Sequence, residues 1–383
     1  MTKPRWLLII ALVLPGLADA TVTTVDIAPP VDAPIALLAD LSSGQVLYAR
    51  AADKRFLPAS MAKAMTALIA FDLIDAGKLS EDTAITVRPE TAQRWGGKGT
   101  TLNLRGGERV LVRDLLMGTT TVSANDAAVV LAEGALGSLE QWTAAMNARA
   151  AALGMSGSHF ASASGFPDHG RTYVTANDLV RMAIALIEDH PALYRRYFGH
   201  QVMVWHGATL RSHDPFAGLV QGADGIKTGH SFEAGFNFLG SASRNNRRLV
   251  LVIGHAATEP GRAKAAKALA EWGYGNWDSR AFLAPGYRVG SAKVQGGAAR
   301  SVKLGVPRAF ALSLPKGSPG QVTGRIIYSG PLRAPLARGQ QVAQLEVQIA
   351  GQPVHTLPLV TLSAVDAAGP IDRIVNGLLG LLE

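Results

Sequence analysis

The chain has 383 residues, of which 48% are hydrophobic and 17% are charged, and these values exclude a disordered chain and a protein with many membrane spans. It contains no cysteine, which excludes disulfides, cysteine-ligated zinc, iron–sulfur clusters and thiol catalysis. The formal net charge of +8 favours an anionic partner but does not distinguish nucleic acid from lipid headgroups or an acidic polymer.

Residues 1–20 have the pattern of an export signal peptide. Lys3 and Arg5 precede an apolar run over residues 6–14, and the segment ends in Ala18-Asp19-Ala20. A charged start, a short apolar centre and an Ala-x-Ala end predict cleavage after the last alanine. The alternative is an uncleaved membrane anchor, which needs about 20 apolar residues. We therefore expect an exported protein in the periplasm or at the outer face of the inner membrane, which argues against a nucleic-acid partner.

Residues 21–280 are predicted to contain strand pairs with helices between them. In chain order, the predicted elements are strands at 35–39 and 46–48 around a turn, helices at 60–76, 124–133, 139–152 and 175–188, strands at 236–240 and 249–253 around Asn245-Asn246, and a helix at 262–272. Because helices lie between strand pairs and do not alternate with single strands, the predicted fold class is α+β.

The composition changes near residue 281. Residues 281–365 contain short alternating strands separated by glycine and proline, which predicts a small all-β domain. Residues 366–383 keep apolar side chains at helical spacing and predict an amphipathic tail. This tail either docks on the β domain or lies at a membrane surface. Its polar face is not rich in lysine, so attraction to lipid is weak, but we favour a peripheral membrane contact.

Ser60 and Lys63 lie at the start of the first predicted helix. Side chains at positions i and i+3 share one face of a helix, so this hydroxyl and amine can meet in one cleft. A serine becomes a good nucleophile when a neighbouring base takes its proton, and lysine is such a base when burial or a nearby cation keeps it neutral. Taken alone the spacing is a weak signal, because serine is also a common helix N-cap.

Two further motifs make the assignment specific. Ser123 and Asn125 precede the second helix and offer a hydroxyl and a carboxamide that can bridge the lysine and a substrate amide. Lys227 and Thr228 open the later strand region and can hold a substrate carboxylate, and Gly229 lets a ligand lie against the strand edge. In this order, S-x-x-K, S-x-N and K-T-G form the motif set of penicillin-binding proteins and class A β-lactamases.

The residues around these motifs carry a closer resemblance. They are Leu57-Pro58-Ala59-Ser60, Ser123-Ala124-Asn125-Asp126-Ala127-Ala128, Asp224-Gly225-Ile226-Lys227-Thr228-Gly229-His230, Gly261-Arg262, Tyr328-Ser329-Gly330-Pro331-Leu332 and Ala334-Pro335. Over about residues 35–362 the chain resembles the type-5 D-alanyl-D-alanine carboxypeptidases, which are low-molecular-mass penicillin-binding proteins. The resemblance implies a transpeptidase or β-lactamase-like catalytic domain, with an antiparallel sheet and helical clusters, followed by a small all-β domain.

The resemblance also implies a mechanism. Ser60 would attack the carbonyl between the two terminal D-alanines, and Lys63 would be its general base. Ser123 would relay the proton to the leaving amine, while Asn125 orients Lys63 and the peptide. Water would then clear the acyl group. The implied substrates are peptidoglycan stem pentapeptides, the implied covalent inhibitors are β-lactam antibiotics, and no cofactor is implied.

Substrate binding follows from the same resemblance. The backbone N–H groups of Ser60 and His230 would form the oxyanion hole. Lys227 would lower the pKa of the general base through the proximity of like charges. Thr228 and Arg262 would take the terminal carboxylate of the peptide, although an exposed arginine at a helix start is an alternative interpretation of Arg262.

Three other functions share part of this motif set. A class A β-lactamase needs a glutamate followed three and four residues later by Leu-Asn, and Glu133, Glu140 and Glu188 lack that pair. A D,D-endopeptidase is harder to separate, although the appended β domain favours the carboxypeptidase branch. A non-catalytic wall-binding scaffold is disfavoured because all the reactive residues are present.

The histidines do not predict a metal site. His200, His206 and His213 lie six and seven residues apart, which is neither a zinc spacing nor one face of a helix. We interpret them as separate surface or core residues and predict no metal.

Overall fold

The computed structural model describes residues 28–317, 322–349 and 354–370, and the backbone of strand β1 (Arg5–Ile10). The chain divides into two compact units, one over residues 28–275 and one over the described residues from 276 onward together with β1. Across these described ranges, no helix has both the length and the apolar character that a membrane crossing requires. Most of the predicted signal peptide, and the predicted tail from residue 371 onward, lie outside the described residues.

The first unit combines antiparallel strands with helices. Its strands are β2 (Ile35–Asp40), β3 (Gln45–Arg50), β4 (Ala84–Thr86), β5 (Arg109–Leu111), β6 (Val202–Trp205), β7 (Ala208–Arg211), β8 (Ala223–Ser231), β9 (Gly235–Arg244) and β10 (Arg247–Ala256). Its helices are α1 (Ala62–Asp75), α2 (Pro89–Trp95), α3 (Val112–Thr120), α4 (Asn125–Leu136), α5 (Leu139–Ala152), α6 (Ala176–Ile184), α7 (Pro191–Tyr197) and α8 (Glu259–Asn276). The predicted α+β class is confirmed.

The main sheet of this unit has the strand order β3-β2-β10-β9-β8, with every neighbouring pair antiparallel. In its centre, Leu251 pairs with Leu38 on one side and with Gly240 on the other. All six residues of β2 are buried, because both faces of the central strands are covered. Strand β8 lies at the edge of the sheet, so one side of its backbone is not used by the sheet.

Helix α1 lies in the core of the first unit. Residues 62–71 are all buried, and this run contains mostly alanine, methionine and leucine. A helix that is apolar on every side belongs in a protein interior, and α1 packs against α3, α4, α5, α6 and β8. The predicted helix at 60–76 therefore exists, but it begins at Ala62. The preceding Ala59–Met61 form a 3-10 turn.

The second unit consists of strands. They are β11 (Trp277–Leu283), β12 (Arg288–Gln295), β13 (Ser301–Gly305), β14 (Phe310–Pro315), β15 (Val322–Ser329), β16 (Leu332–Arg333), β17 (Gln341–Ile349) and β18 (His355–Thr361). One sheet has the order β1-β15-β17-β18-β13-β12-β16, and β11 pairs with β14. Buried and solvent-facing side chains alternate along β15 and β17, which is the pattern of a sheet with one face on a core.

Candidate active site

Ser60 lies in the 3-10 turn before α1, and two other segments pack closely against that turn. Its neighbour Ala59 has a φ of +47°, a left-handed conformation that costs a non-glycine residue about 1 kcal/mol. A Cβ on Gly229 would lie 2.1 Å from the Pro58 carbonyl oxygen, and a Cβ on Gly165 would lie 1.9 Å from that of Ala59. Only glycine fits at either position. From the sequence, Gly229 is explained by the room that it leaves for a ligand at the strand edge. The structure shows that the strand also needs glycine there to pack against the turn.

Lys63 is completely buried in the first turn of α1. Its Nζ lies 2.9 Å from Ser60 Oγ, 2.6 Å from Asn125 Oδ1 and 2.6 Å from the Ser164 carbonyl oxygen. The last two atoms only accept hydrogen bonds, so they take two N–H groups of the amine. A neutral amine has two N–H groups and one lone pair. In that state the lone pair is left for the hydroxyl of Ser60.

The surroundings of Lys63 favour this neutral form. Burial lowers the pKa of Lys63 well below its ordinary value, and the nearby charge of Lys227 lowers it further, whereas Asp126 opposes the shift. The repulsion from Lys227 that the resemblance implied is therefore present, but burial is the larger cause. A neutral lysine beside a serine hydroxyl is able to accept its proton and so produce a nucleophile.

Ser123 and Asn125 lie where the chain enters α4. Ser123 has a φ of +68° and is 8% exposed, and it lines the same cleft as Ser60. The Asn125 side chain is held at both of its polar atoms. Its Nδ2 donates to the Lys98 carbonyl oxygen at 2.7 Å, while its Oδ1 accepts from Lys63. Both hydrogen bonds together fix which way the carboxamide faces.

Asp126 holds the loop at residues 98–104 against the start of α4. Its two carboxylate oxygens accept hydrogen bonds from the backbone N–H groups of Leu102 and Leu104, at 2.9 and 3.1 Å. This carboxylate is buried, and the backbone donors compensate for the loss of water around it. The consecutive residues Asn125 and Asp126 thus hold the loop by hydrogen bonds at three of its residues and fix it as one wall of the cleft.

Strand β8 carries the K-T-G motif at the sheet edge. Lys227 is 4% exposed, and its Nζ donates to the Thr228 carbonyl oxygen at 3.2 Å. Burial lowers the pKa of Lys227 to about 7, with Asp214 opposing this shift and Arg262 adding to it. His230 lies further along the strand, and its side chain is exposed. Lys227 is therefore a cation that is easily neutralised unless an anion is close to it.

Arg262 lies in the first turn of α8 and is 3% exposed, which excludes the exposed helix-start arginine considered as an alternative. Its guanidinium donates to Glu259 Oε1 at 2.9 Å and lies 5.9 Å from the centre of the Phe236 ring. Its buried Nε has no hydrogen-bond partner within the part of the chain that the structure describes. The side chain thus keeps a donor that the protein itself does not use there.

His213 also lines the cleft, although the histidine spacing predicts no site. Arg262 donates to its carbonyl oxygen at 3.5 Å. Burial lowers the pKa of His213, and the nearby charge of Lys227 lowers it further. The next residue, Asp214, is largely buried, which raises the pKa of its carboxyl. The sequence has no recognisable motif at His213 and Asp214, so only the fold brings His213 to the cleft and Asp214 close to Lys227.

The cleft has a volume of about 420 Å³ and brings most of the predicted residues together. The predicted residues that line it are Ser60, Ser123, Asn125, Thr228, Gly229, His230 and Arg262. Lys63 and Lys227 are buried behind this lining and reach it through their contacts with Ser60 and Thr228. The sequence did not predict the contribution of His213, Phe166 and Pro167. Of the described residues in the lining, Glu259 is the one acidic side chain, and it is paired with Arg262.

Comparisons with known proteins agree with this arrangement. The family model described as D-alanyl-D-alanine carboxypeptidase matches residues 21–258, and the model of the penicillin-binding protein 5 C-terminal domain matches residues 277–367. The D-alanyl-D-alanine carboxypeptidase DacD of Salmonella typhimurium is 32% identical over 371 residues, which are 94% of this chain and 93% of that protein. DacA of Escherichia coli is 31% identical, covering 91% of this chain and 87% of that protein.

Solved structures give the same result. Penicillin-binding protein 5 of Haemophilus influenzae superposes with a TM-score of 0.79 and 28% identity, over 89% of this chain and 99% of that one. Penicillin-binding protein D2 of Listeria monocytogenes, solved in an ampicillin-bound form, superposes with a TM-score of 0.57 and 32% identity, over 64% of this chain and 98% of that one. The chain therefore belongs to the D-alanyl-D-alanine carboxypeptidase family, with the penicillin-binding protein 5 type of C-terminal domain.

Proposed function

We propose that this protein is a serine-type D-Ala-D-Ala carboxypeptidase, which removes the terminal D-alanine from peptidoglycan stem pentapeptides through an acyl-enzyme on Ser60. The observation that carries the proposal is the 2.9 Å contact between Ser60 Oγ and Lys63 Nζ at the floor of the cleft. Relatives named D-alanyl-D-alanine carboxypeptidases that align over about nine-tenths of the chain support it.

The substrate carboxylate binds at the end of the cleft formed by Thr228 and Arg262. The hydroxyl of Thr228 and the guanidinium of Arg262 are donors suited to a carboxylate, and the charge of Lys227 lies directly behind them. A peptide whose C-terminal carboxylate is held there has its last amide bond beside Ser60. This arrangement makes the enzyme specific for the last residue of a peptide, because a peptide that extends beyond that residue has no carboxylate to bind at Thr228 and Arg262.

Acylation begins with the attack of Ser60 Oγ on the carbonyl carbon of the last amide bond. The hydroxyl proton passes to the neutral Nζ of Lys63, and the backbone N–H groups of Ser60 and His230 stabilise the developing oxyanion. The carbon–nitrogen bond then breaks. The leaving D-alanine amine takes a proton from Lys63 by way of the Ser123 hydroxyl. Asn125 keeps the Lys63 amine directed at Ser60 throughout.

Water completes the reaction by hydrolysing the ester on Ser60, with Lys63 again as the base. The cleft has no second base of the kind a class A β-lactamase uses, because Glu259, the acidic residue in its described lining, is held by Arg262. A β-lactam acylates the same Ser60, but its amine stays tethered to the acyl group after the ring opens, so it remains beside the ester, hinders the approach of water and makes release slow. We therefore assign β-lactam antibiotics as covalent inhibitors and not as substrates.

The protein acts outside the cytoplasm. The family model begins at residue 21, directly after the predicted cleavage site, which supports the removal of residues 1–20 as a signal peptide. Its removal would take away β1 and leave β15 as an edge of its sheet. We assign the catalytic domain to residues 21–280 and the β-rich domain to 281–365, with the two compact units favouring a boundary nearer 275. The tail at 366–383 would contact the membrane peripherally.

The test uses a synthetic muramyl-type pentapeptide that ends in D-Ala-D-Ala, with the mature protein and its Ser60→Ala variant. We expect mass spectrometry to show the loss of one alanine with the wild type alone, and labelling by a fluorescent penicillin with the wild type alone. A dimer of two tetrapeptides joined through a lysine side-chain amine should remain intact, because no carboxylate stands next to that cross-link and neither stem ends in D-Ala-D-Ala. Thermal unfolding of Ser60→Ala should match the wild type.

Three outcomes would contradict the proposal. Release of D-alanine by Ser60→Ala would remove the assignment of the nucleophile. Cleavage of the dimer faster than the pentapeptide would make the protein an endopeptidase. An untouched pentapeptide, together with no penicillin label, would leave a non-catalytic protein of the same fold.

A further inference from the structure

A second groove opens next to the catalytic cleft. It has a volume of about 240 Å³ and lies between the C-terminal end of α2 and the loop at residues 161–171. Arg94, His169 and Arg171 line it together with the aromatic side chain of Trp95. None of these residues belongs to the motifs that define the catalytic site.

The groove and the cleft adjoin each other. Phe166 and Pro167 line both of them, so a ligand that passes these two side chains leaves one and enters the other. Trp95 packs against Phe166, with the two rings edge-to-face at 5.5 Å between centroids. Trp95 is 8% exposed, so this aromatic pair is a fixed part of the groove lining.

With the peptide bound as the proposed function requires, its acyl part points toward this groove. The carboxylate lies at Thr228 and the reacting carbonyl lies near His230, so the peptide runs along β8 in the direction of Ser231. Each extended residue advances about 3.3 Å. Residues before the reacting D-alanine therefore pass Ser231 and Phe166, both of which line the cleft. Beyond Phe166 lies the groove.

The charge of the groove is positive. The guanidinium groups of Arg94 and Arg171 are exposed there. Asp168 also lines the groove, and both of its carboxylate oxygens accept hydrogen bonds from Thr172, at 3.1 and 2.5 Å, so one carboxylate stands against two guanidinium groups. Glu140 interacts electrostatically with Arg94 from its fully exposed position on α5, where solvent screens the charge. Two arginines beside an aromatic wall fit a carboxylate.

We propose that this groove is a subsite for a carboxylate on the acyl side of the peptide substrate, two residues before the reacting D-alanine. Arg94 and Arg171 bind that carboxylate, and Phe166 and Trp95 form the apolar wall along which the peptide chain passes. The subsite selects between peptides of the same length by the charge of that residue, and it takes no part in bond cleavage.

The experiment compares two synthetic pentapeptides, L-Ala-γ-D-Glu-L-Lys-D-Ala-D-Ala and the same peptide with the free α-carboxylate of its D-glutamate converted to a carboxamide. We expect the wild type to cleave the acidic peptide with a kcat/KM about two- to fivefold higher, since exposed charge pairs contribute up to about that factor. Arg94→Gln and Arg171→Gln should each reduce the preference, and the double variant should abolish it. Arg94→Lys should retain most of it, because the charge remains.

Matched controls separate the groove from the catalytic site. Arg195→Gln removes an exposed arginine that lines neither space and should keep the full preference. The short substrate acetyl-L-Lys-D-Ala-D-Ala and the rate of penicillin acylation should be the same in all variants, which also shows that they fold. Equal cleavage of the two pentapeptides by the wild type, or a preference that persists in the double variant, would overturn the subsite alone. No cleavage of any peptide by the wild type would overturn the proposed function, and the subsite with it.

Discussion

The proposed binding of the substrate carboxylate needs a protonated Lys227, but the buried position of this lysine disfavours the protonated form. Burial lowers its pKa to about 7, and the nearby Arg262 adds to this effect, while Asp214 opposes it. A substrate carboxylate at Thr228 brings a negative charge close to the amine and therefore favours its protonated form. Binding of the peptide and binding of a proton to Lys227 thus stabilise each other.

This coupling predicts a loss of activity at alkaline pH. The free enzyme binds the carboxylate with Lys227 protonated, and that form becomes scarce above a pH of about 7. We expect kcat/KM for the pentapeptide to fall above this pH, approaching tenfold per unit, because this parameter reports the ionisation of the free enzyme. In Lys227→Arg the decline should move to a much higher pH, since a guanidinium keeps its charge.

The control for this pH profile is His213→Gln. Burial and Lys227 lower the pKa of His213, so the imidazole is already neutral where the decline begins. The alkaline limb should therefore stay in place when His213 is replaced. A limb that moves in His213→Gln, or that stays in place in Lys227→Arg, would show that Lys227 is not the titrating group. The measurement is kcat/KM for the pentapeptide from pH 5 to 10, for the wild type and for both variants.

Motif spacing predicts the reactive side chains but not the groups that set their pKa values. The spacing of Ser60 and Lys63 places them on one helix face, and their contact at 2.9 Å agrees with that. The Ser164 carbonyl oxygen, 2.6 Å from Lys63 Nζ, is a backbone atom 101 residues away, and any residue type supplies such an atom. The sequence around Asp214 has no motif either. These contacts follow only from the folded chain.

Strand β8 packs closely against the 3-10 turn with Ser60. The absent side chain of Gly229 allows the strand to come within contact of the Pro58 carbonyl oxygen. Because Thr228 and His230 flank this position on the same strand, the distance between the strand and the turn also sets the width of the cleft. Gly229 therefore affects both the packing of β8 and the position of Thr228 and His230 relative to Ser60.

We predict that Gly229→Ala impairs both stability and acylation. The new Cβ would lie 2.1 Å from the Pro58 carbonyl oxygen, so β8 has to move away from Ser60. Overpacking of this kind costs about 1–3 kcal/mol, and a displacement of the carboxylate site should slow penicillin acylation by about 100-fold. Gly275→Ala is the matched control, since its Cβ would meet nothing within 4 Å, so acylation should be unchanged and stability should not fall. Wild-type acylation by Gly229→Ala would show that the strand tolerates the shift.

Long elements are predictable from the sequence, and short ones are not. The helix predicted at 139–152 has those bounds in the structure, and Asn245 and Asn246 form the predicted hairpin turn with positive φ at both residues. Helices α2 and α7 have seven residues each, too few for a helical period to be evident. The hairpin β6–β7 was missed because its side chains are mostly exposed, so it lacks an alternating apolar pattern. Tertiary contacts stabilise these short elements.

At the scale of the whole molecule, each compact unit has its own hydrophobic core. One core contains buried residues from Ile35 to Val252, and the other contains buried residues from Leu283 to Val365. The described site residues all belong to the first unit, over residues 28–275. Because each unit has its own core, we expect each to unfold in its own cooperative transition.

This separation predicts that acylation stabilises one transition and leaves the other unchanged. Differential scanning calorimetry of the mature protein should show two transitions, and saturation with a slowly released penicillin should raise the midpoint of one of them by several degrees. A ligand that binds only the folded cleft stabilises the unit that forms it. Ser60→Ala should show the same two transitions with neither raised. A shift of both midpoints by penicillin would mean that the second unit unfolds only together with the first.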